Sequence, residues 1–396
     1  MGDLKIFTEN IEGKALDQIY NLIKQPAFAD CKIRIMPDVH AGAGCVIGFT
    51  ADLGDKVIPN IVGVDIGCGM NVSELGHIDI DFEKLDGVIR KYVPSGKNVC
   101  EQETEQANNI ISNLCCKDML KNESHLKRSI GSLGGGNHFI EIDKDDDGMK
   151  YLVIHSGSRN LGKQVAEIYQ QKAIDNMSHK AEIENETNTI IRELKESGRE
   201  KEISKAIKEI KKKYAPIKIP KELSYLEGED RQYYIHDMRM CQEFAVDNRM
   251  AIRNVITKQM GWIIRGCFES IHNYIDFNDN IVRKGAISAK YNERLIIPMN
   301  MRDGCIIGIG KGNEDWNYSA PHGAGRIMSR SEAKQKVSLN EFENSMRGIF
   351  TTSVDLSTID ESPMAYKPME EIIKYIEPTV DIERIIKPIY NFKASE

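Results

Sequence analysis

Long apolar runs are missing from this chain. No stretch of about eighteen hydrophobic residues occurs, which excludes an ordinary membrane-spanning helix. The opening MGDLKIFTENIEGK has neither the basic start nor the apolar core of a secretory signal, so the protein is expected in the cytoplasm. No CxxC pair is present to build a zinc ribbon, and in a reducing compartment the nine cysteines are expected as thiols. Positive charge is not in excess either. With 53 Lys and Arg against 60 Asp and Glu, the net charge of −7 argues against coating nucleic acid by bulk electrostatics and leaves room only for a local basic groove. There is no internal repeat and no low-complexity tail. What remains is a chain of 396 residues, 41% hydrophobic and 29% charged, with the composition of a soluble globular protein able to bury a large core.

Short runs rich in Ile and Val, CKIRIMP (31–37), KYLVIHS (150–156) and ERLIIPM (293–299), end in Gly, Pro or Asn and read as strands. Between Gln164 and Arg231 the texture becomes charged helix, with Ile and Leu at helical spacing in TIIRELKESGREKEISKAIKEIKKKY. Strand-like texture resumes past Asn254. A helical insertion at about 164–231 within one domain is therefore expected, its Lys211, Lys212 and Lys213 read first as a solvated helix end.

Five of the nine histidines fall in glycine-rich or strand-end contexts: His40 in VHAGAG, His138 in GGGNHF, His155 in VIHSGS, His272 in SIHNYI and His322 in PHGAGR. In VGVDIGCGM, Asp65 and Cys68 stand three apart in a glycine-rich turn. A carboxylate and a thiolate at that spacing can share one metal or bridge two, because both become anionic beside a dication. With His138, His155 and His272 they would supply shells for one or two ions; each alone could equally be a capping Asp, a core thiol or a buried histidine. His322 sits between a proline and Gly323, Ala324 and Gly325, and Arg326 and Arg330 follow as candidate anion contacts. The alternative is a glycine-rich turn whose histidine caps a helix.

Two familiar motifs compete. GSRNLGKQ (157–164) has P-loop spacing, but Gln164 stands where a hydroxyl should hold magnesium. Asp38-x-His40 with Gly136-Asn137-His138 resembles binuclear metallophosphoesterases, yet Phe139 replaces the acid expected after GNH and no GHxH follows.

Taken together, MPDVHAGAG (36–44), GVDIGCGM (63–70), LGGGNHFIEI (133–142), IHSGSRNLG (154–162), HNY (272–274), VRKGAISA (282–289), GKGNE (310–314), HGAGRIMSR (322–330) and DESPMAYK (360–367) resemble, in order, the RtcB family of RNA ligases. That resemblance implies a single α/β (α+β) domain with sheets and helices around a deep metal cleft. It implies joining of an RNA 3′-phosphate or 2′,3′-cyclic phosphate to a 5′-hydroxyl, with GTP as co-substrate and two Mn2+. By position, Cys68 would bridge the two ions, Asp65 and His138 completing one shell and His155 and His272 the other. His322 would become guanylylated. Asn137 would hold phosphate oxygens and Glu141 would read the guanine edge. Phe139, Ile140, Asn273, Gly323, Ala324 and Gly325 would line the nucleotide, with Lys393 assigned only by its distance from the C-terminus. Where the family shows Pro-Gly-Ser-Met and then Ser, this chain has Pro298, Met299, Asn300, Met301 and Cys305, which puts the fine structure of the pocket in question.

The donor types by themselves, one thiolate among imidazoles, favour zinc, whereas the resemblance implies manganese. Arg159, Arg326 and Arg330 are candidates for RNA or triphosphate oxygens, or for structural ion pairs. RNA with the stated ends is the expected partner, and an archease-type accessory protein is a further candidate. The competing functions are a binuclear metal-dependent phosphoesterase and a non-catalytic RNA-binding relative.

Overall fold

A computed structural model describes residues 3–214 and 219–394. Its centre is an eight-stranded sheet whose strands run, in spatial order, Arg294–Asn300, Gly304–Gly310, Val380–Lys393, Phe139–Lys144, Lys150–Ser156, Gly69–Gly76 and Gly266–Ile271, with Phe350–Thr351 paired alongside Val380–Lys393. Apart from that short parallel pair, every ladder is antiparallel. The backbone amide of Ile296 on one edge strand donates to Ser270 Oγ on the other (3.1 Å), so the sheet curls into a near-barrel. Of the expected strands, Lys150–Ser156 and Arg294–Asn300 lie here and Lys32–His40 in a second sheet.

Strand alternation sorts the two faces. Leu152, Ile154, Ile140, Ile142, Tyr390 and Phe392 point outward, onto Leu85 and Ile89 of helix Phe82–Tyr92 and Ile252 and Ile256 of helix Gly228–Met260. Met70, Val72, Phe139, Val153, Cys305 and Ile307 fill the inside. In register, Phe139 stands between His155 and Lys393, and Glu141 between Val153 and Asn391. Ladder partners share a face, so these polar groups enter the same interior.

The second sheet has five strands in the order Asp3–Ile6, Lys32–His40, Ile47–Asp52, Ile281–Lys284 and Asn273–Asp276, with only the first pair parallel. A two-stranded ribbon, Ala286–Ser288 with Ser319–Pro321, continues from it and delivers His322.

The helical region differs from the expected insertion at 164–231. Helix Arg159–Met177 buries Leu161, Val165, Ala166, Tyr169 and Ala173 in the core, and Gly228–Met260 buries residues along its whole length. Only Lys180–Glu196 and Ile203–Lys213 form an outlying pair, with Leu194 their one buried residue. Nor does strand texture resume at Asn254: the helix continues to Met260 and closes on Gly261 at φ 72°. Charge on the solvent side hid the apolar stripe of the two core helices. Among the described residues no helix is long and apolar enough to cross a membrane.

Lys211, Lys212 and Lys213 end an exposed helix, with Lys213 paired to Glu186 and Lys212 to Glu209. Replacing all three by Ala should leave stability in urea within about 0.5 kcal/mol of the parent. Ile154→Ala, at a fully buried position, should cost about 2–5 kcal/mol in the same titration.

Candidate active site at the mouth of the near-barrel

The loop Gly63–Cys68 is pressed flat. Gly67, at φ 71°, leaves no room for a Cβ, which would lie 2.8 Å from Ala245 Cβ on helix Gly228–Met260. Arg249 of that helix donates to the carbonyls of Gly67 (2.7 Å) and Ser156 (2.9 Å), and Asn248 donates to that of Gly157 (3.0 Å). The amide of His272 donates to the Cys68 carbonyl (2.9 Å). One helix and one strand junction thus bring residues 65–68, 155–157 and 272 to a single point.

There, Cys68 Sγ lies 3.4 Å from His138 Nε2 and 3.2 Å from His155 Nε2. His138 Nε2 is 3.0 Å from Asp65 Oδ2, and His155 Nε2 is 3.3 Å from His272 Nε2. His138 Nδ1 donates to the Leu133 carbonyl (2.9 Å) and His155 Nδ1 to that of Asn137 (3.2 Å), which turns both Nε2 lone pairs toward the sulfur. Burial, reinforced by Asp65, pushes the Cys68 thiol well up, and burial with neighbouring histidines holds His155 and His272 well below the usual imidazole range. Burial works against the Asp65 carboxylate too, but His138 keeps it below its ordinary value. Donor atoms of a tetrahedral zinc shell are spaced by about 3.3–3.5 Å, given bonds of about 2.0 Å to nitrogen and 2.3 Å to sulfur. The observed spacings fit shells of this kind, so the residues suit one or two divalent ions sharing Cys68. All five sequence-chosen ligands are brought together.

His322 stands next to this cluster, its ring centroid 5.0 Å from that of His272. Its Nδ1 donates to Asp38 Oδ2 at 2.6 Å and its backbone amide to the same oxygen at 3.1 Å. Asp38 is fully buried, so the pair fixes the tautomer and leaves Nε2 with a free lone pair. The metallophosphoesterase resemblance would make Asp38 a metal ligand; here it holds His322 instead, and His40 Nδ1 bonds the Asp38 carbonyl (3.0 Å).

The cleft beside His322 is lined by Asn137, Phe139, Glu141, Pro298, Met299, Asn300, Met301, Cys305, Gly323, Ala324, Gly325, Arg326, Arg330 and Lys393, together with His40, Glu361 and Tyr366. A roomier open groove around Asp3, Asp52, Asp279 and Lys290 holds none of this chemistry. Two residues expected at the pocket are not in its lining. Ile140 turns its side chain to the opposite face of the strand, against the helices. Asn273 accepts the Gly285 and Gly67 amides through Oδ1 and its carbonyl, and is absent from the cleft wall. Gly325 is required by the strand behind it: at φ 75°, a Cβ there would lie 2.7 Å from the Asp38 carbonyl oxygen.

The cations are already engaged. Glu361 is paired with Lys393 (2.7 Å), Arg330 (2.7 Å) and Arg326 (3.4 Å), and although burial opposes its charge, Lys393 and Arg330 bring it down to about 2. Arg159 lies outside the cleft lining, at φ 58°, donating to Ser132 Oγ (3.1 Å) and the Gly96 carbonyl (2.9 Å). That backbone conformation costs a non-glycine residue about 1–2 kcal/mol. Glu361 and Tyr366 escaped the sequence reading, although DESPMAYK contains them, and Asp38 and His40 entered it only as a possible metallophosphoesterase motif.

A family model described as tRNA-splicing ligase RtcB matches residues 18–125 and 102–394. The chain belongs to the RtcB family. It is 29% identical to the RNA-splicing ligase RtcB of Escherichia coli K12, over 99% of this chain and 97% of that protein. It is 25% identical to the tRNA-splicing ligase RtcB of Nanoarchaeum equitans, over 93% and 89% respectively. Against RNA-splicing ligase RtcB homolog 2 of Entamoeba dispar it is 24% identical, over 91% and 80%. The RtcB match spans the near-barrel, the second sheet except its strand Asp3–Ile6, and the outlying helix pair.

Gly157 touches the cluster without belonging to it: a Cβ there would collide with Asp65 Oδ1. Gly157→Ala should therefore displace the carboxylate and reduce bound metal, measured by elemental analysis, while circular dichroism stays that of the parent. Unchanged metal affinity would disprove this packing role.

Proposed function

We propose that this RtcB family member is an RNA ligase that joins RNA 3′-phosphate or 2′,3′-cyclic phosphate ends to 5′-hydroxyl ends through a His322–GMP intermediate, in tRNA splicing or RNA repair in the cytoplasm. The single observation that carries it is the Asp38–His322 pair set against the five-donor cluster at one end of the cleft.

His322 Nε2, its lone pair exposed by the Asp38 bond, attacks the α-phosphorus of GTP; the N–P bond forms and pyrophosphate leaves. Asp38 then stabilises the positive charge that develops on the ring. An oxygen of the RNA 3′-phosphate next attacks the same phosphorus, breaking the N–P bond and restoring His322. The 5′-hydroxyl attacks the RNA phosphate in turn, and GMP departs. A 2′,3′-cyclic phosphate first needs hydrolysis to the 3′-phosphate. Asp65, Cys68 and His138 would hold one Mn2+ and Cys68, His155 and His272 the second, supplying positive charge to phosphoryl oxygens. Glu141 and Lys393, both in the cleft wall, would meet the guanine, and Asn137 phosphate oxygens. Arg326 and Arg330 would reach RNA only by sharing their bonds with Asp360 and Glu361. An archease-type accessory protein would act on turnover rather than on these contacts.

Incubation with labelled GTP and manganese, followed by denaturing electrophoresis, should give an acid-labile adduct on the parent and none on His322→Ala, whose metal content should be unchanged. That variant should still seal RNA already carrying the 3′ guanosine pyrophosphate cap. Asp38→Asn should slow adduct formation by about 10²–10⁴-fold. Phosphate release without nucleotide would instead support a phosphoesterase, and an adduct mapped to a lysine would overturn the role of His322.

Zinc should bind the thiolate-containing cluster well and support ligation poorly, since phosphate oxygens are hard ligands that manganese accepts more readily. Metal-stripped protein that recovers full ligation with zinc and none with manganese would contradict this assignment.

A further inference from the structure

A second convergence of donor atoms lies on the turn after helix Glu105–Ser112, where it meets helix Gly228–Met260. None of its members lines the cleft. Cys115 Sγ is 3.5 Å from His236 Nδ1, which is 3.0 Å from Asp237 Oδ1. Cys115 and the side chain of His236 are exposed, while the Asp237 side chain is fully buried. The carboxylate is rigidly mounted: it accepts the backbone amides of Cys115 (2.8 Å) and Cys116 (3.0 Å) and the Tyr169 hydroxyl (2.8 Å). Among the described residues no Lys or Arg pairs with it, and His236 is its one ionisable cationic neighbour within ion-pair distance. A buried carboxylate without a fixed counter-ion is costly, and here it faces a thiol and an imidazole at the surface.

A cysteine nucleophile does not explain the arrangement. A Cys–His–Asp relay needs the thiol and the carboxylate on opposite ring nitrogens, whereas both meet Nδ1 here. Burial and Asp237 also push the Cys115 thiol up, away from a reactive thiolate. A shared cation satisfies all three groups. A tetrahedral shell with bonds of about 2.3 Å to sulfur and 2.0 Å to nitrogen and oxygen has edges of about 3.5 Å (S–N) and 3.3 Å (N–O), close to the spacings found.

We propose that Cys115, His236 and Asp237 form a binding site for a zinc-type divalent cation, with the remaining coordination position open to solvent. Binding replaces the thiol proton, released to solvent, with a metal–sulfur bond, and the mixed S, N and O set favours zinc over manganese or magnesium. It ties the Cys115 turn to the helix whose Asn248 and Arg249 hold the loops of the cleft. The site is independent of the ligase reading.

The test is alkylation of the metal-stripped full-length protein with iodoacetamide, with and without zinc chloride, read peptide by peptide by mass spectrometry. Zinc should slow modification of Cys115 by about tenfold or more, while Cys267, also exposed, reacts at an unchanged rate as the internal control. Manganese at the same concentration should protect little, and His236→Ala should lose the zinc protection. Equal alkylation of Cys115 with and without zinc overturns the proposal, as does protection that survives in His236→Ala or extends equally to Cys267. A titration against a chromophoric chelator gives an independent count: Cys115→Ser should bind one zinc fewer than the parent, and an equal stoichiometry also overturns it.

Discussion

A sulfur, three imidazole nitrogens and a carboxylate oxygen converge within a few ångströms, and only a shared positive charge makes that convergence favourable for all of them. Without it, burial drives the Cys68 proton onto sulfur and the protons off His155 and His272. The surrounding scaffold resists relaxation. Leu133 and Asn137 carbonyls lock two ring tautomers, and Arg249, itself fully buried, is braced by Glu269 (3.2 Å) while gripping the loops that carry Cys68 and His155. The long helix Gly228–Met260 serves the site although it contributes no ligand to it.

Two sheets meet at this point with different tasks. The near-barrel supplies His155 from one strand and Cys68 and His138 from the residues that enter the strands on either side of it, so the ladders fix where the three begin to converge. The five-stranded sheet supplies Asp38, and the small ribbon that extends it supplies His322. His322 and the five-donor cluster are therefore held by separate layers, and the position of one relative to the other depends on how those layers pack.

Of the departures from the family pattern, Cys305 lies in the barrel interior, whereas Met299 packs on the opposite face of its strand with Leu295, Ile297 and Ile306. Pro298 and Cys305 face each other across the hairpin, and Met299 and Met301 are buried. Cys305 adjoins Asp143 and Glu141, whose carboxyls burial pushes up, Asp143 to about 7. Asn391 donates to Glu141, while both oxygens of Asp143 are buried without a partner among the described residues. Such a pair favours sharing a proton over carrying two charges. The thiol of Cys305 thus occupies a polar corner beside the Glu141 and Asp143 carboxyls.

The sequence by itself determined which residue types are candidates for the site. Glycine-rich turns at Asp65–Cys68 and around His138 and His322 are legible because an exposed backbone must be written as glycine, and the strands because alternation and β-branching are local. It also determined the family, since the motifs recur in order. Tertiary structure alone decided that Asp38 serves His322 and not a metal, and that Ile140 faces away from the cleft. It alone decided that Gly325 answers to a strand 284 residues distant in the chain from its neighbour His322. It decided too that helix Arg159–Met177, most of which the charged texture had put in an insertion, belongs to the core with Gly228–Met260. Partnership across hundreds of residues is a property of how sheets and helices pack, and no local pattern encodes it.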